Sequence, residues 1–275
     1  MGEAGANGSV RRVTATLDVE VTAPTTLELQ VAVARSKGLS VTDSLVCTLD
    51  DERAQARELA GPEGARSHVV EARPGAFRMT YCAEVIGAAE PLPSTERDRL
   101  VFTRPSRYVP SDTFAGFAAK QLGDLPPGPD RLAAVSSWVA SHLDYVAGAS
   151  RPTDGAAETL LAGAGVCRDY AHLTIALLRA LETPARLVAV YAPGCAPMDF
   201  HAVVEACVED AWYVVDATGL APRTSLLRIS TGRDAADTAF LTNHGGAVQL
   251  RDSEVTAVVD GELPRDDVNR LVALR

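Results

Sequence analysis

Three side chains that together can break an amide bond stand far apart in this sequence: Cys167 in GVCRDYAHLTIALLRAL, His201 in DFHAVVEAC and Asp216 in AWYVVDAT. Tyr170, Leu173, Leu177, Leu178 and Leu181 recur at helical spacing and predict a helix over about 167–181, with the thiol in its first turn. At a helix start, the dipole and the unpaired N–H groups stabilise negative charge on sulfur or on a developing oxyanion. A lone cysteine there is more often a buried core residue than a nucleophile, so the thiol needs partners.

A nucleophilic thiol requires a base to take its proton and a third group to orient that base. FHAVVEAC (200–207) and AWYVVDAT (211–218) read as a hairpin with a tight turn near 208–210. A turn at Val208 and Glu209 sets His201 opposite Asp216. A turn at Glu209 and Asp210 sets Asp216 opposite Val203, with His201 as its diagonal neighbour. Both registers bring the two Cβ atoms within about 8 Å on one face, whereas a three-residue turn separates them to opposite faces. Cys167, His201 and Asp216 are therefore the candidate catalytic residues, as nucleophile, base and orienter of acyl transfer through a thioester.

Other reactive residues have plainer readings. His172 lies five after Cys167, so a helix turns it away toward packing, and Asp169 complements the helix N-terminus. Cys195, in APGCAPMD, reads as a bystander thiol, with a redox lock on Cys167 as the sharper alternative. A zinc site from Cys167, Cys195, Cys207 and His201 lacks the short ligand spacing of zinc motifs, so no metal or cofactor is expected. Arg223, Arg228 and Arg233 with Asp234 and Asp237 read as a salt-bridged scaffold, or alternatively as a clamp for a substrate carboxylate.

The elements that must position these residues divide the 275-residue chain. Period-two alternation in RVTATLDVEVTA (12–23) and TLELQVAVA (26–34), with further strand candidates at 41–49, 68–72 and 77–85, predicts an antiparallel β-sandwich over 11–103. The prolines of LVFTRPSRYVPSDTF then mark a boundary near Arg104. Beyond it, Ser111 or Asp112 is placed to cap a helix carrying Phe114, Phe117, Ala118 and Leu122, and a second helix runs over about 130–145 with Trp138 on its apolar stripe. Strands at 186–191, 200–207 and 211–218 follow the cysteine helix, giving an α+β domain over 104–275. Residues 246–260 read as a strand pair and 263–275 as a terminal helix.

Composition bounds the partners. A formal net charge of −10 lacks the basic footprint that nucleic acid or an anionic membrane requires. No apolar run approaches the roughly 18 residues of a membrane span, and MGEAGANGSVRR has no apolar centre of a secretory signal, so 1–10 reads as a disordered tail. Five cysteines without a CxxC pair predict reduced thiols and a cytoplasmic location. No segment specifies an oligomeric state.

The set GVCRDYAHLTIALLRALETPARLV, DFHAVVEA and WYVVDATGLAP resembles the three motifs of the bacterial transglutaminase-like superfamily, whose core is a papain-like α+β fold. The likeness covers roughly 104–240, including GRDAADTAF, and the strand-rich first third resembles the β domain commonly joined to this core. The resemblance implies Cys167 as nucleophile, His201 as base and Asp216 as orienter. It implies a side-chain oxyanion donor upstream of the thiol, for which Trp138 and Tyr145 stand as candidates. Ala217 replaces the proline that often follows the aspartate. The implied activity is thiol-dependent hydrolysis of amide bonds in a peptide or protein substrate. Glutamine–amine transfer or deamidation, and a non-catalytic peptide-binding module, are the alternatives.

Overall fold

The computed structural model describes residues 10–268 and 270–275. The expected tail lies outside the described residues except for Val10, which opens the first strand. In chain order the strands β1 (Val10–Ala23), β2 (Thr25–Leu29), β3 (Leu39–Leu49), β4 (Glu52–Ala54), β5 (Arg57–Ala60), β6 (Arg66–Ala72) and β7 (Gly75–Gly87) come first. Next come α1 (Glu96–Val101), α2 (Ala115–Leu122), α3 (Pro129–His142), β8 (Asp144–Tyr145), α4 (Ala156–Ala162), β9 (Ala164–Gly165) and α5 (Cys167–Ala180). The chain ends with β10 (Ala185–Tyr191), β11 (His201–Val208), β12 (Ala211–Val215), β13 (Leu227–Gly232), α6 (Ala235–Thr238), β14 (Leu241–His244) and β15 (Ala247–Val259).

Alternation builds the sandwich. Val13, Ala15, Leu17, Val19 and Val21 of β1 are buried and their neighbours are not, so the strand presents one face to a core shared with Phe77, Met79 and Tyr81 of β7. The sheets run β15-β1-β7-β3-β4 and β14-β2-β6-β5. Two late strands thus complete the N-terminal sandwich, whereas sequence pattern assigns everything after 104 to the second domain. Residues 246–260 form one long strand on β1 rather than a hairpin. An extra residue, Arg251, bulges where Asp18 pairs with Asp252 and Val19 with Leu250.

The expected strand 26–34 stops at Leu29. Val31, Ala32, Val33 and Ala34 are all buried, and partners outside the sheet satisfy their backbone: Val33 N–H donates to Tyr81 Oη at 3.0 Å, Tyr191 Oη donates to the Val31 carbonyl at 2.8 Å, and Ala34 N–H donates to the Arg228 carbonyl at 2.8 Å.

In the second half, the sheet β12-β11-β10-β13 is antiparallel throughout, and α5 packs on one face against Leu187, Val204, Ala206 and Val215. The expected one-sided helix is instead buried all round from Asp169 to Arg179. The Ser111 or Asp112 cap is not made: a 3-10 turn, Ser111–Phe114, leads into α2, and Phe114 occupies the N-cap position without a side-chain bond. The expected terminal helix is also absent among the described residues. Residues 261–268 and 270–275 run as a strap, held where Val214 N–H donates to the Val272 carbonyl at 2.8 Å and where Arg223 forks onto Asp266.

The two halves share a buried ion cluster. Glu205 on β11 accepts from Arg186 and Arg228, and Arg186 also reaches Glu63 at 2.6 Å in the sandwich turn. The three arginines of the expected scaffold are in fact held separately: Arg228 by Glu205, Arg223 by Asp266 and Arg233 by Asp237, while Asp234 caps α6 through Ala236 N–H.

Candidate active site

Cys167 is the first residue of α5 and is half-buried. Its position follows from the chain just before it. Asp169 turns back so that Oδ2 accepts from Val166 N–H at 2.9 Å, and its carboxylate also takes the Ser150 hydroxyl and the Arg168 guanidinium. A Cβ on Gly165 would lie 2.6 Å from Asp169 Cβ, so only glycine lets the strand pass this close to the helix. Asp169 thus complements the N-terminus as expected, and in addition ties the 146–155 loop to it.

The hairpin adopts the second of the expected registers. Val208 pairs with Ala211 and Val204 with Val215, leaving Glu209 and Asp210 as the turn, both at positive φ. His201 opens β11 and Asp216 lies just past the end of β12. His201 Nε2 and Asp216 Oδ2 are 3.1 Å apart, with both side chains almost fully buried. The other oxygen of Asp216 accepts from the Thr218 N–H at 2.9 Å and hydroxyl at 2.7 Å. Nε2 is committed to Asp216, and the Cys167 thiol is the second group near enough to the ring to favour its protonated form. That thiol also donates to the Phe200 carbonyl at 3.8 Å.

Burial opposes charge on both members of the His201–Asp216 pair, and mutual contact overcomes it. Desolvation alone would lower His201, but hydrogen bonds and charge from Asp216 and Cys167 raise its pKa well above the ordinary imidazole value. Desolvation would raise Asp216, but His201 and Thr218 hold it below the ordinary carboxylate value.

Tyr145 sits beside the thiol because β8 and β9 pair in parallel: Tyr145 lies opposite Gly165, and Val146 N–H donates to the Gly165 carbonyl at 2.9 Å. Its hydroxyl lies beside the Cys167 backbone N–H, the residue is 44% exposed, and burial of the phenol with the nearby thiol raises its pKa. Trp138 is placed elsewhere, edge-on to Phe117 and stacked on His142 at 3.7 Å, so of the two candidate oxyanion donors only Tyr145 reaches the site.

The hydrogen bonds of the remaining candidates go elsewhere than the Cys167 thiol, although Cys195 lies close enough to feel the charges of Cys167 and His201. His172 is buried under Tyr108 and accepts from Ala235 N–H at 3.1 Å, and burial pushes its pKa down to about 4. Cys195 is a free, buried thiol donating to the Pro197 carbonyl at 3.4 Å. Among the described residues no three His, Cys, Asp or Glu side chains are placed to hold a metal ion. Sequence reasoning missed Thr218 and Phe200. Thr218, two residues after Asp216, has the spacing of a hydroxyl that folds back on a carboxylate, whereas nothing local marks Phe200.

The chain resembles known proteins in sequence and fold. The transglutaminase-like superfamily profile matches residues 116–217, a span that contains all three site residues. A crystal structure of a candidate cysteine protease from Cytophaga hutchinsonii superposes with a TM-score of 0.87 at 30% identity, covering 97% of this chain and 96% of that one. The periplasmic domain of TgpA from Pseudomonas aeruginosa matches with a TM-score of 0.42 at 18% identity, covering 79% of this chain and 92% of that one. Uncharacterized protein ML0607 of Mycobacterium leprae is 28% identical over 150 residues, 50% of this chain; the match spans about half, 52%, of that curated relative's length. With 30% identity over 97% of this chain, likeness to the Cytophaga protein takes in the whole architecture, and the chain belongs to the transglutaminase-like superfamily, a family of thiol-dependent enzymes.

Proposed function

We propose that the protein is a cysteine peptidase or amidase, acting on a peptide or protein substrate through Cys167, His201 and Asp216. The observation that carries this reading is the buried His201–Asp216 bond at 3.1 Å, set beside the thiol at the start of α5.

In the proposed reaction His201 takes the thiol proton and the Cys167 sulfur attacks the amide carbonyl carbon. The first-turn N–H of Cys167 and the Tyr145 hydroxyl donate to the oxyanion, Tyr145 by turning its O–H onto the substrate. The C–N bond breaks, His201 returns its proton to the leaving amine, and a thioester remains. Water, deprotonated by His201, then attacks the thioester and releases the acid with the thiol restored. Asp216 keeps the ring in register and stabilises its cationic form. The free thiols suit a reducing compartment, and we place the enzyme in the cytoplasm.

The test is digestion of a diverse peptide library, read by mass spectrometry, with wild type and Cys167→Ala. New peptide termini from wild type alone support hydrolysis. Incorporation of a primary amine at glutamine without new termini would replace it with transglutamination. Specific capture of intact peptides by both proteins would make the protein a binding module.

A further inference from the structure

The ring stack that joins the sandwich to the thiol contains residues with no part in the proposed chemistry. Phe200 directly precedes His201, and its carbonyl is the atom on which the Cys167 thiol rests at 3.8 Å. Its ring lies between two others, Phe240 at 4.8 Å in a parallel stack and Tyr191 at 5.7 Å. Both neighbours are tied to the sandwich. The Phe240 carbonyl accepts from Gln30 N–H at 3.0 Å, and the Gln30 amide reaches back to the Asp237 carbonyl at 3.1 Å. Tyr191 stacks on Tyr81 of β7 at 6.3 Å and bonds the Val31 carbonyl. The segment 30–34 that leaves the sheet is therefore the one that grips these rings.

We propose that Phe240 is a positioning residue: by stacking on Phe200 it fixes the carbonyl that holds the Cys167 thiol beside His201, which makes the sandwich part of the reactive centre. Phe240 lies outside the matched 116–217, and its ring contact is with Phe200. The physical ground is that the ring next to His201 has its backbone orientation set by its own packing, and a misplacement of about 1 Å at a reacting atom costs about a hundredfold in rate. Phe240 and Phe200 are both only half-buried, so replacement of Phe240 loosens the stack without emptying a core. The inference rests on the proposed role of Cys167 as the reactive thiol.

The test is the rate of Cys167 alkylation by iodoacetamide, followed by peptide mass mapping over a range of pH. Sulfur displaces iodide, a C–S bond forms, and the thiol proton passes to His201. Phe240→Leu is expected to slow labelling about tenfold and flatten its pH profile, and Phe240→Tyr to restore both. Val70→Ala, which opens a cavity in the sandwich core without removing a ring of the stack, serves as a stability control: it is expected to lower Tm without changing the labelling profile. A Phe240→Leu protein labelled at the wild-type rate and profile would overturn the inference while leaving the role of Cys167 intact. Wild-type Cys167 labelled no faster than the exposed Cys82 would overturn both.

Discussion

His201 and Asp216 meet diagonally across their hairpin, not face to face: Val204 pairs with Val215, so the register carries Asp216 to a position across from Val203, and Nε2 to Oδ2 still closes to 3.1 Å. The diagonal works because Asp216 has left the strand and is pinned by the Thr218 N–H and hydroxyl. Asp216→Asn keeps the shape, removes the charge and turns an acceptor into a donor toward Nε2. The proposed turnover is expected to fall by at least about a hundredfold, with KM little changed. Equal kcat in the two proteins would remove Asp216 from the mechanism.

The same pair sets a pH dependence. The pKa of His201 is raised on folding, so the fold favours the protonated ring. Its contribution to stability is complete below the unfolded imidazole value of about 6.5 and is lost as pH rises through the higher folded value. Asp216 is shifted downward, and its contribution is present above about pH 3.9 and lost in acid. The Tm difference between wild type and His201→Gln is therefore expected to shrink between pH 6 and pH 9. A difference that grows over that interval contradicts the assignment of a cationic His201.

Glu205 offers a test of how the halves are joined. It is buried, and although desolvation raises a carboxyl, Arg228 and Arg186 hold it below its ordinary value. Glu205→Gln leaves two buried guanidiniums with a neutral partner, and is expected to cost about 3–5 kcal/mol of unfolding free energy in urea titrations. A loss under about 1 kcal/mol would mean that Glu63 and water take over the charge.

The parts of this architecture that were legible in sequence are those where one local pattern dictates one structure. Alternation over 12–21 gave the sandwich face, and the spacing of Tyr170, Leu173 and Leu177 gave the helix behind the thiol. The hairpin register was undecided because Glu209 and Asp210, unlike Asn-Gly, do not announce a turn that needs two positive φ angles. The all-round burial of α5 was hidden because polar side chains such as Asp169, His172 and Arg179 interrupt the apolar stripe, and only the fold brings Val166, Ala235 and Ala185 to bond them. The LRDSE stretch of β15 resembles a turn and is a bulge, a distinction set by β1 more than two hundred residues away. The Phe200–Phe240 stack is likewise a product of tertiary packing alone.

Gly165→Ala tests the close passage before the thiol. The backbone there is not left-handed, so the cost is steric: the new Cβ meets Asp169 Cβ at 2.6 Å and Oδ2 at 2.8 Å. Asp169 must release Val166 N–H and Ser150, with an expected loss of about 1–3 kcal/mol and of Cys167 labelling with it. Asp169→Asn, which keeps the volume, separates the two effects. If it labels normally while Gly165→Ala does not, the steric displacement of the helix start, not the loss of charge, is what moves the thiol.

Tyr145→Phe isolates the hydroxyl at the Cys167 N–H. The phenol is half-exposed and its ring packs at 5.9 Å from Tyr170, so deletion of one oxygen leaves the fold and Tm nearly unchanged. In the resting protein that oxygen lies beside the same N–H that the proposed oxyanion requires. Substrate oxygen bound at that N–H therefore comes within reach of the hydroxyl, which can donate to it from the other side. Because the donation develops with the charge on oxygen, its loss is expected in kcat, by about a hundredfold, with KM constant. A Tyr145→Phe protein that turned over faster than wild type would reverse the role, making the hydroxyl a plug over the oxyanion donor. A change confined to KM would make Tyr145 a substrate contact only.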